Sequence, residues 1–295
     1  MSEPDGDRTD GQWAKHRRRA EVLRERFPFA AEMLTLYLAL LDVWEEGWDL
    51  ARDDRPEPQN LPQWTVARVL PGVVKATEAA GPEPLATATR SLIEAGGLED
   101  LLTAWLRGAE LAPVERYLAR TALFASLAAG DAGAACADDP SPRGVRRCPH
   151  CGAAPQLSFR SNADDGLVTG RRHLVCARCG WSWSYSASSC PSCGETTGSK
   201  RTFYAERHDG SVVGRGADAR RGADGSATDV APESASMFPH LRVEACAVCQ
   251  RYVIDVDLSR DPQAVAEVDE LAALPLDLYA TEHGLTKITP NIMGF

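Results

Sequence analysis

Four Cys-x-x-Cys pairs, Cys148/Cys151, Cys176/Cys179, Cys190/Cys193 and Cys246/Cys249, take up eight of the nine cysteines and constrain this chain more than any other feature. A two-residue gap lets both thiolates of a pair point into one tetrahedral site from a tight turn, so each pair supplies half of a four-sulfur shell and four pairs make two shells. In three pairs the next residue is a glycine, Gly152, Gly180 or Gly194. Glycine takes the positive φ that such a turn needs and turns backbone N–H groups towards the sulfurs. The fourth pair has Gln250 there instead, and Pro149 and Pro191 pre-set φ just after the first cysteine of their pairs.

The segments Cys-Pro-His-Cys-Gly and Cys-Pro-Ser-Cys-Gly therefore read as knuckles of the zinc-ribbon or rubredoxin type. The expected metal ligands are Cys148, Cys151, Cys176, Cys179, Cys190, Cys193, Cys246 and Cys249. The expected cofactors are two metal ions, zinc or iron, because a tetrahedral four-thiolate site accepts either and ligand identity does not separate them. Sequential pairing gives two tandem ribbons, Cys148, Cys151, Cys176 and Cys179 in one, Cys190, Cys193, Cys246 and Cys249 in the other. A crossed arrangement, first pair with third and second with fourth, is the alternative. A structural metal replaces the core that a small ribbon lacks. Dithiol redox catalysis fits less well, because a redox Cys-x-x-Cys opens a helix in a βαβ setting and these pairs sit between strand-like segments.

At 295 residues, with 44% hydrophobic content, the chain suits two or three domains with packed cores. No apolar run is long enough to span a bilayer, so no membrane insertion is expected. The start, MSEPDGDRTDGQW, has neither a signal-peptide core nor a transit composition. Together with thiols kept as ligands, this predicts a cytoplasmic protein. The net charge of −10 argues against a nucleic-acid partner, whose affinity comes from a basic surface. From Cys148 to Arg260 there are 13 basic and 12 acidic residues, and two shells of four thiolates around a divalent ion turn that segment negative.

Residues 1–130 read as an all-α domain, with 1–11 flexible. Helical periodicity covers Trp13–Phe27 and Ala30–Leu50, where Met33, Leu34, Tyr37, Leu38, Leu41, Trp44 and Trp48 recur every three or four residues. It resumes over Gln63–Ala80 with a break at Pro71, then over Leu85–Ala95, Leu98–Arg107 and Pro113–Ala129. Residues 131–147 form a linker. Residues 148–189 and 190–260 are the two metal ribbons, in which the period changes to two beside each cysteine pair. The second carries a flexible insertion, 209–236, rich in Gly, Ala, Ser and Asp. Residues 261–295 form a C-terminal helix opened by Asp261-Pro262 and kinked or divided at Pro275, then an apolar tail. The fold class is α+β multidomain: an all-α N-terminal domain, two tandem rubredoxin-like/zinc-ribbon four-cysteine modules and a C-terminal helix.

Elsewhere no Ser-His-Asp, phosphate-loop or dinucleotide pattern is legible. Cys136 reads as a bystander thiol, and Asp255 and Asp257 as solubilising residues on a strand. Arg171, Arg172, Lys200, Arg201, Arg220 and Arg221 motivate a nucleic-acid-binding zinc ribbon as an alternative function, and labile thiolates a redox or iron-sensing one.

The four pairs beginning with Cys148-Pro-His-Cys-Gly, the segment Ala245-Cys246-Ala247-Val248-Cys249-Gln250-Arg251-Tyr252, the closing run Val268-Asp269-Glu270-Leu271-Ala272-Ala273-Leu274-Pro275-Leu276-Asp277 and the Pro290-Asn291 tail together resemble the formate dehydrogenase accessory protein family, FdhE. The resemblance runs from about Arg147 to the C-terminus and covers the helical part in general character. It implies a cytoplasmic, non-enzymatic maturation factor with rubredoxin-like metal sites. The implied partner is the catalytic subunit of a molybdenum- or tungsten-pterin formate dehydrogenase. The longer stretch between the third and fourth pairs and Pro275 depart from the family pattern without removing a ligand.

Overall fold

The computed structural model describes residues 10–161, 170–206, 212–216 and 236–294. The chain divides into two compact units. The first takes the residues up to Ala153 together with Cys176–Trp181 and Asn291–Gly294, and the second takes Ala154–Val175 and Ser182–Pro290.

In the first unit, α1 (Asp10–Arg26), α2 (Ala31–Asp54), α3 (Leu61–Arg68), α4 (Leu70–Ala80), α5 (Glu83–Ala95), α6 (Leu98–Leu106), α7 (Pro113–Ala129) and the single turn α8 (Ala132–Ala135) follow in order. Proline sets the boundaries: Pro71 and Pro113 occupy first-turn positions of α4 and α7, where the missing N–H costs nothing. The core is built on α2, which buries Leu34, Leu36, Tyr37, Leu40, Leu41, Trp44, Gly47 and Trp48. Its apolar face is wider than the predicted stripe because α1, α4 and α7 all pack on it. Gly47 lets α2 approach α7, since a Cβ there would stand 3.3 Å from that of Ala125. Trp44 Nε1 donates to Thr121 O at 2.8 Å, giving the buried indole its partner.

The second unit is built on β1 (Pro155–Arg160), β2 (Arg172–Cys176), β3 (Ser182–Ser184), β4 (Arg201–Glu206), β5 (Val212–Gly216), β6 (Leu241–Cys246), β7 (Arg251–Asp257) and β8 (Thr286–Lys287). They form one sheet in the order β3-β2-β1-β7-β6-β4-β5, with β8 also on β7. Strands from both cysteine halves thus share a sheet, joined where β1 runs parallel to β7 with Ser158 opposite Asp255. The expected insertion 209–236 contains β5, antiparallel to β4; residues 209–211 and 217–235 of it, and residues 1–9 of the expected flexible start, lie outside the described residues.

The closing helix is divided at Pro275 into two, α9 (Ala266–Ala272) and α10 (Leu274–Glu282), with the proline in the first turn of the second. Asp261-Pro262 does not open it. Val265 is the N-cap, and Asp269 Oδ2 accepts its N–H at 2.8 Å. Strand β8 is held by Lys287, a buried ammonium that donates to Glu270 Oε1 and, at 3.1 Å, to Asp277 Oδ2. Tyr252 donates to the other Asp277 oxygen at 2.8 Å.

Asp255 overturns its reading as a solubilising residue. It is fully buried and accepts from Ser158 Oγ at 2.6 Å, Arg160 Nε at 3.0 Å and Arg242 Nε at 2.8 Å. Next to it Glu244 takes Arg172 at 2.9 Å and Arg201 at 2.5 Å. Burial acts first and would raise the Asp255 pKa, but Arg242, Arg160 and Arg172 outweigh it and hold the carboxyl below its usual range.

Replacing Asp255 with Ala leaves these guanidinium groups without their carboxylate and is expected to lower stability by about 3–5 kcal/mol in urea unfolding. In the wild type a depressed carboxyl pKa means that the folded state binds fewer protons. This contribution is therefore complete above the ordinary carboxylate value of about 3.9 and is lost as pH falls below it, a loss that Asp255→Ala should not show.

Candidate metal centres

Each cysteine pair folds into the same turn. Gly152 N–H donates to Cys148 O at 2.9 Å, Gly180 to Cys176 O at 3.2 Å, Gly194 to Cys190 O at 2.9 Å and Gln250 to Cys246 O at 2.9 Å. The three glycines have φ of 80°, 69° and 85°, and Gln250 takes the same left-handed turn at 55°. The fourth knuckle therefore needs the positive φ as much as the others do, and Gln250 bears it with its side-chain Nε2 donating to Ala247 O at 2.7 Å.

The knuckles meet in sequence order. Cys148, Cys151, Cys176 and Cys179 gather in one cluster and Cys190, Cys193, Cys246 and Cys249 in another, with the ligand atoms of each within 4.8 Å of one another. Cys148 Sγ lies 3.7 Å from Cys179 Sγ and Cys151 Sγ 3.3 Å from Cys176 Sγ. In the second cluster Cys190 and Cys249 are 3.8 Å apart and Cys193 and Cys246 3.7 Å apart. A tetrahedral ion with metal–sulfur bonds of about 2.3 Å holds its sulfurs about 3.8 Å apart, whereas a disulfide needs about 2.05 Å. The donor sets fit a four-thiolate metal and not disulfides. Such an ion adds local cross-linking and stabilises thiolates; a closed shell leaves no vacant position for a substrate.

The two clusters differ in their surroundings. All four thiols of the first are buried, whereas Cys193 of the second is exposed and Cys249 half-buried. In the first, hydrogen bonds from Cys148, then Cys176 and Cys179, push the Cys151 pKa down, while burial foremost pushes Cys176 up. Burial also raises Cys190 in the second. A divalent cation resolves both conflicts, because every ligand must be a thiolate to bind it.

Arg178, inside the second knuckle, is the functional neighbour that spacing did not reveal. It is buried, donates to Asp139 Oδ2 at 2.9 Å and to Cys151 O at 3.4 Å, and stacks 5.5 Å from the Trp105 ring centre. Its N–H points at Cys176 Sγ, 3.3 Å away. Asp139 lies in the stretch read as a linker, beside buried Cys136, whose thiol burial pushes up to about 11. The signal for this arrangement was slight: Gly108, with φ of 78°, leaves room against the Asp139 carboxylate that a side chain would fill.

Of the cations that motivated nucleic-acid binding, Arg172 and Arg201 are internal, both paired with Glu244. Arg220 and Arg221 lie outside the described residues. Among the described residues no helix is long and apolar enough to cross a membrane. A further group, His240, Asp261 and Asp269, gathers beside α9, with His240 Nε2 2.7 Å from Asp269 Oδ1.

The family described as FdhE, C-terminal domain, matches residues 227–293. An FdhE homolog of Aquifex aeolicus is 26% identical over 148 residues, 50% of this chain and 41% of the relative. One of Pseudomonas aeruginosa is 30% identical over 147 residues, 50% of this chain and 38% of that one. The matched part thus spans less than half the length of these relatives. The crystal structure of the FdhE protein from Pseudomonas aeruginosa shares the fold with a TM-score of 0.57 at 21% identity, covering 95% of this chain and 94% of that one. Residues 227–293 thus match the FdhE C-terminal domain family, and the chain shares the fold of an FdhE protein.

Proposed function

We propose that this chain is a cytoplasmic, non-catalytic accessory factor. In this reading it binds the catalytic subunit of a molybdenum- or tungsten-dependent formate dehydrogenase and promotes formation of the active enzyme. The observation that carries the proposal is the pairing of two four-cysteine clusters with the FdhE fold. A closed four-thiolate shell supports a role in shaping a protein-binding module rather than in turning over a substrate. Two of the cations that would serve nucleic-acid binding are spent inside the sheet, which weighs against that alternative. The expected test is deletion of the gene from a formate-using host: dehydrogenase activity falls, and the tagged chain recovers the catalytic subunit in a pull-down. Normal activity in the deletion strain would count against the proposal.

In the same proposal Cys148, Cys151, Cys176 and Cys179 hold one ion and Cys190, Cys193, Cys246 and Cys249 the other. Elemental analysis of protein purified without added metal should find two ions per chain, and the visible spectrum should separate coloured ferric from colourless zinc sites. The more open second cluster should lose its ion first to a chelator, and Cys193→Ser should bring the content close to one. A single-phase loss of both ions would contradict the assignment of two independent shells. Gln250→Gly relieves a left-handed residue and should stabilise the second cluster by up to about 1 kcal/mol, read as slower metal loss.

A further inference from the structure

One face of the sheet holds more positive charge than its carboxylates balance. Arg160, Arg172, Arg201 and Arg242 stand against Asp255 and Glu244. Apart from Arg242, these side chains are buried. The next acid along the face, Asp257, is engaged by Ser259 and lies 3.7 Å from Arg260.

Arg172 and Arg201 find extra acceptors in the carbonyls of Ser186, Ser189 and Ala187. Among the described residues Arg160 and Arg242 find no such carbonyl. Among the described residues both hydrogen-bond to the same oxygen, Asp255 Oδ2, Arg160 through Nε at 3.0 Å and Arg242 through Nε at 2.8 Å and Nη2 at 2.6 Å. Two guanidinium groups thus lie side by side on one negative charge. Among the described residues Arg160 Nη2 is a buried donor without an acceptor, and so is Arg172 Nε. A buried cationic donor left unpaired is costly, and an ion or water is its usual remedy. Burial foremost lowers the Arg242 pKa, and Arg160 lowers it further against the pull of Asp255, as for a cation whose charge is not fully met.

We propose that Arg160 and Arg242 bind a small oxyanion, a carboxylate or a phosphate-type ion, beside Asp255. The planar guanidinium fork matches two oxygens of either ion. Arg160 is 3% exposed, which suits a diffusible ion rather than a polynucleotide or an acidic protein surface. The Arg242 side chain, 23% exposed, provides the route in. This site is separate from the cysteine clusters and does not rest on the accessory-factor reading.

The test titrates the full, metal-loaded chain with inorganic phosphate, sulfate, formate or acetate at constant ionic strength set with chloride, following the thermal midpoint and the binding heat. A saturable rise with at least one oxyanion, beyond that of chloride, is expected. A preference for phosphate and sulfate would identify a tetrahedral ion, and one for formate and acetate a planar carboxylate. Arg242→Gln should weaken the apparent Kd by about tenfold to a hundredfold, the loss of one or two charge-assisted bonds. Arg242→Lys keeps the charge without the fork and should fall between; it carries the test if the Gln variant fails to load both ions. Equal effects of chloride and every oxyanion, or a titration unmoved in both variants, would overturn the proposal.

Discussion

The parallel register of β1 on β7 is the constraint on which the second unit depends. Strand β1 leaves the first knuckle within a few residues and β7 leaves the fourth directly, so pairing them gathers strands from both cysteine halves into one sheet. A parallel pair needs a long crossover between its strands. Here that crossover comprises the second, third and fourth knuckles and β2 to β6. Ser158 and Asp255, opposite one another across this seam, are joined at 2.6 Å, and Arg160 and Arg242 close on the same carboxylate from neighbouring strands. The seam is thus fixed by directional, charge-assisted bonds as well as by ladder hydrogen bonds, which set the register more strictly than apolar packing does.

Burying that network has a cost, and the fold offsets it unevenly. The Arg172 and Arg201 guanidinium groups share Glu244 and reach carbonyls of the stretch from Ser186 to Ser189, so their charge also anchors the segment that leads into the third knuckle. Tyr185, donating to Cys190 O at 2.9 Å, adds to the same anchorage. The charged sheet face thus anchors the segment entering the second cluster, in which Cys193 opens to solvent. The first is enclosed, with Arg178 and Asp139 packed against its knuckles. Two clusters of identical cysteine composition therefore sit in different surroundings, and their access to water differs accordingly.

Seen from the chain's chemistry, the molecule invests its unusual residues in shape. Cysteines, a left-handed glutamine, buried arginines and a buried lysine all serve to hold short strands and turns in fixed positions, where apolar area alone is too small to do so. A protein organised in this way suits recognition of another protein, which is the role proposed for it.

Residue types and their spacing were enough to establish the helical first unit, the short strands beside each cysteine pair and the eight thiols that cluster, because these follow from local periods of 3.6 and 2 and from a spacing that a single turn enforces. They also placed positive φ at Gly152, Gly180 and Gly194. The start of the closing helix read this way erred where packing intervened: α9 begins after Val265, whose N–H Asp269 accepts, and not at Asp261-Pro262. That β1 pairs with β7 across the whole length of the cysteine region was settled by long-range contacts. So was the place of Asp255 as a buried counter-ion rather than a surface charge, and the meeting of Asp139 of the apparent linker with Arg178 of a knuckle. Local pattern encodes which way a side chain alternates; which partner waits on that face depends on contacts between distant segments, and these leave no periodic trace in the chain.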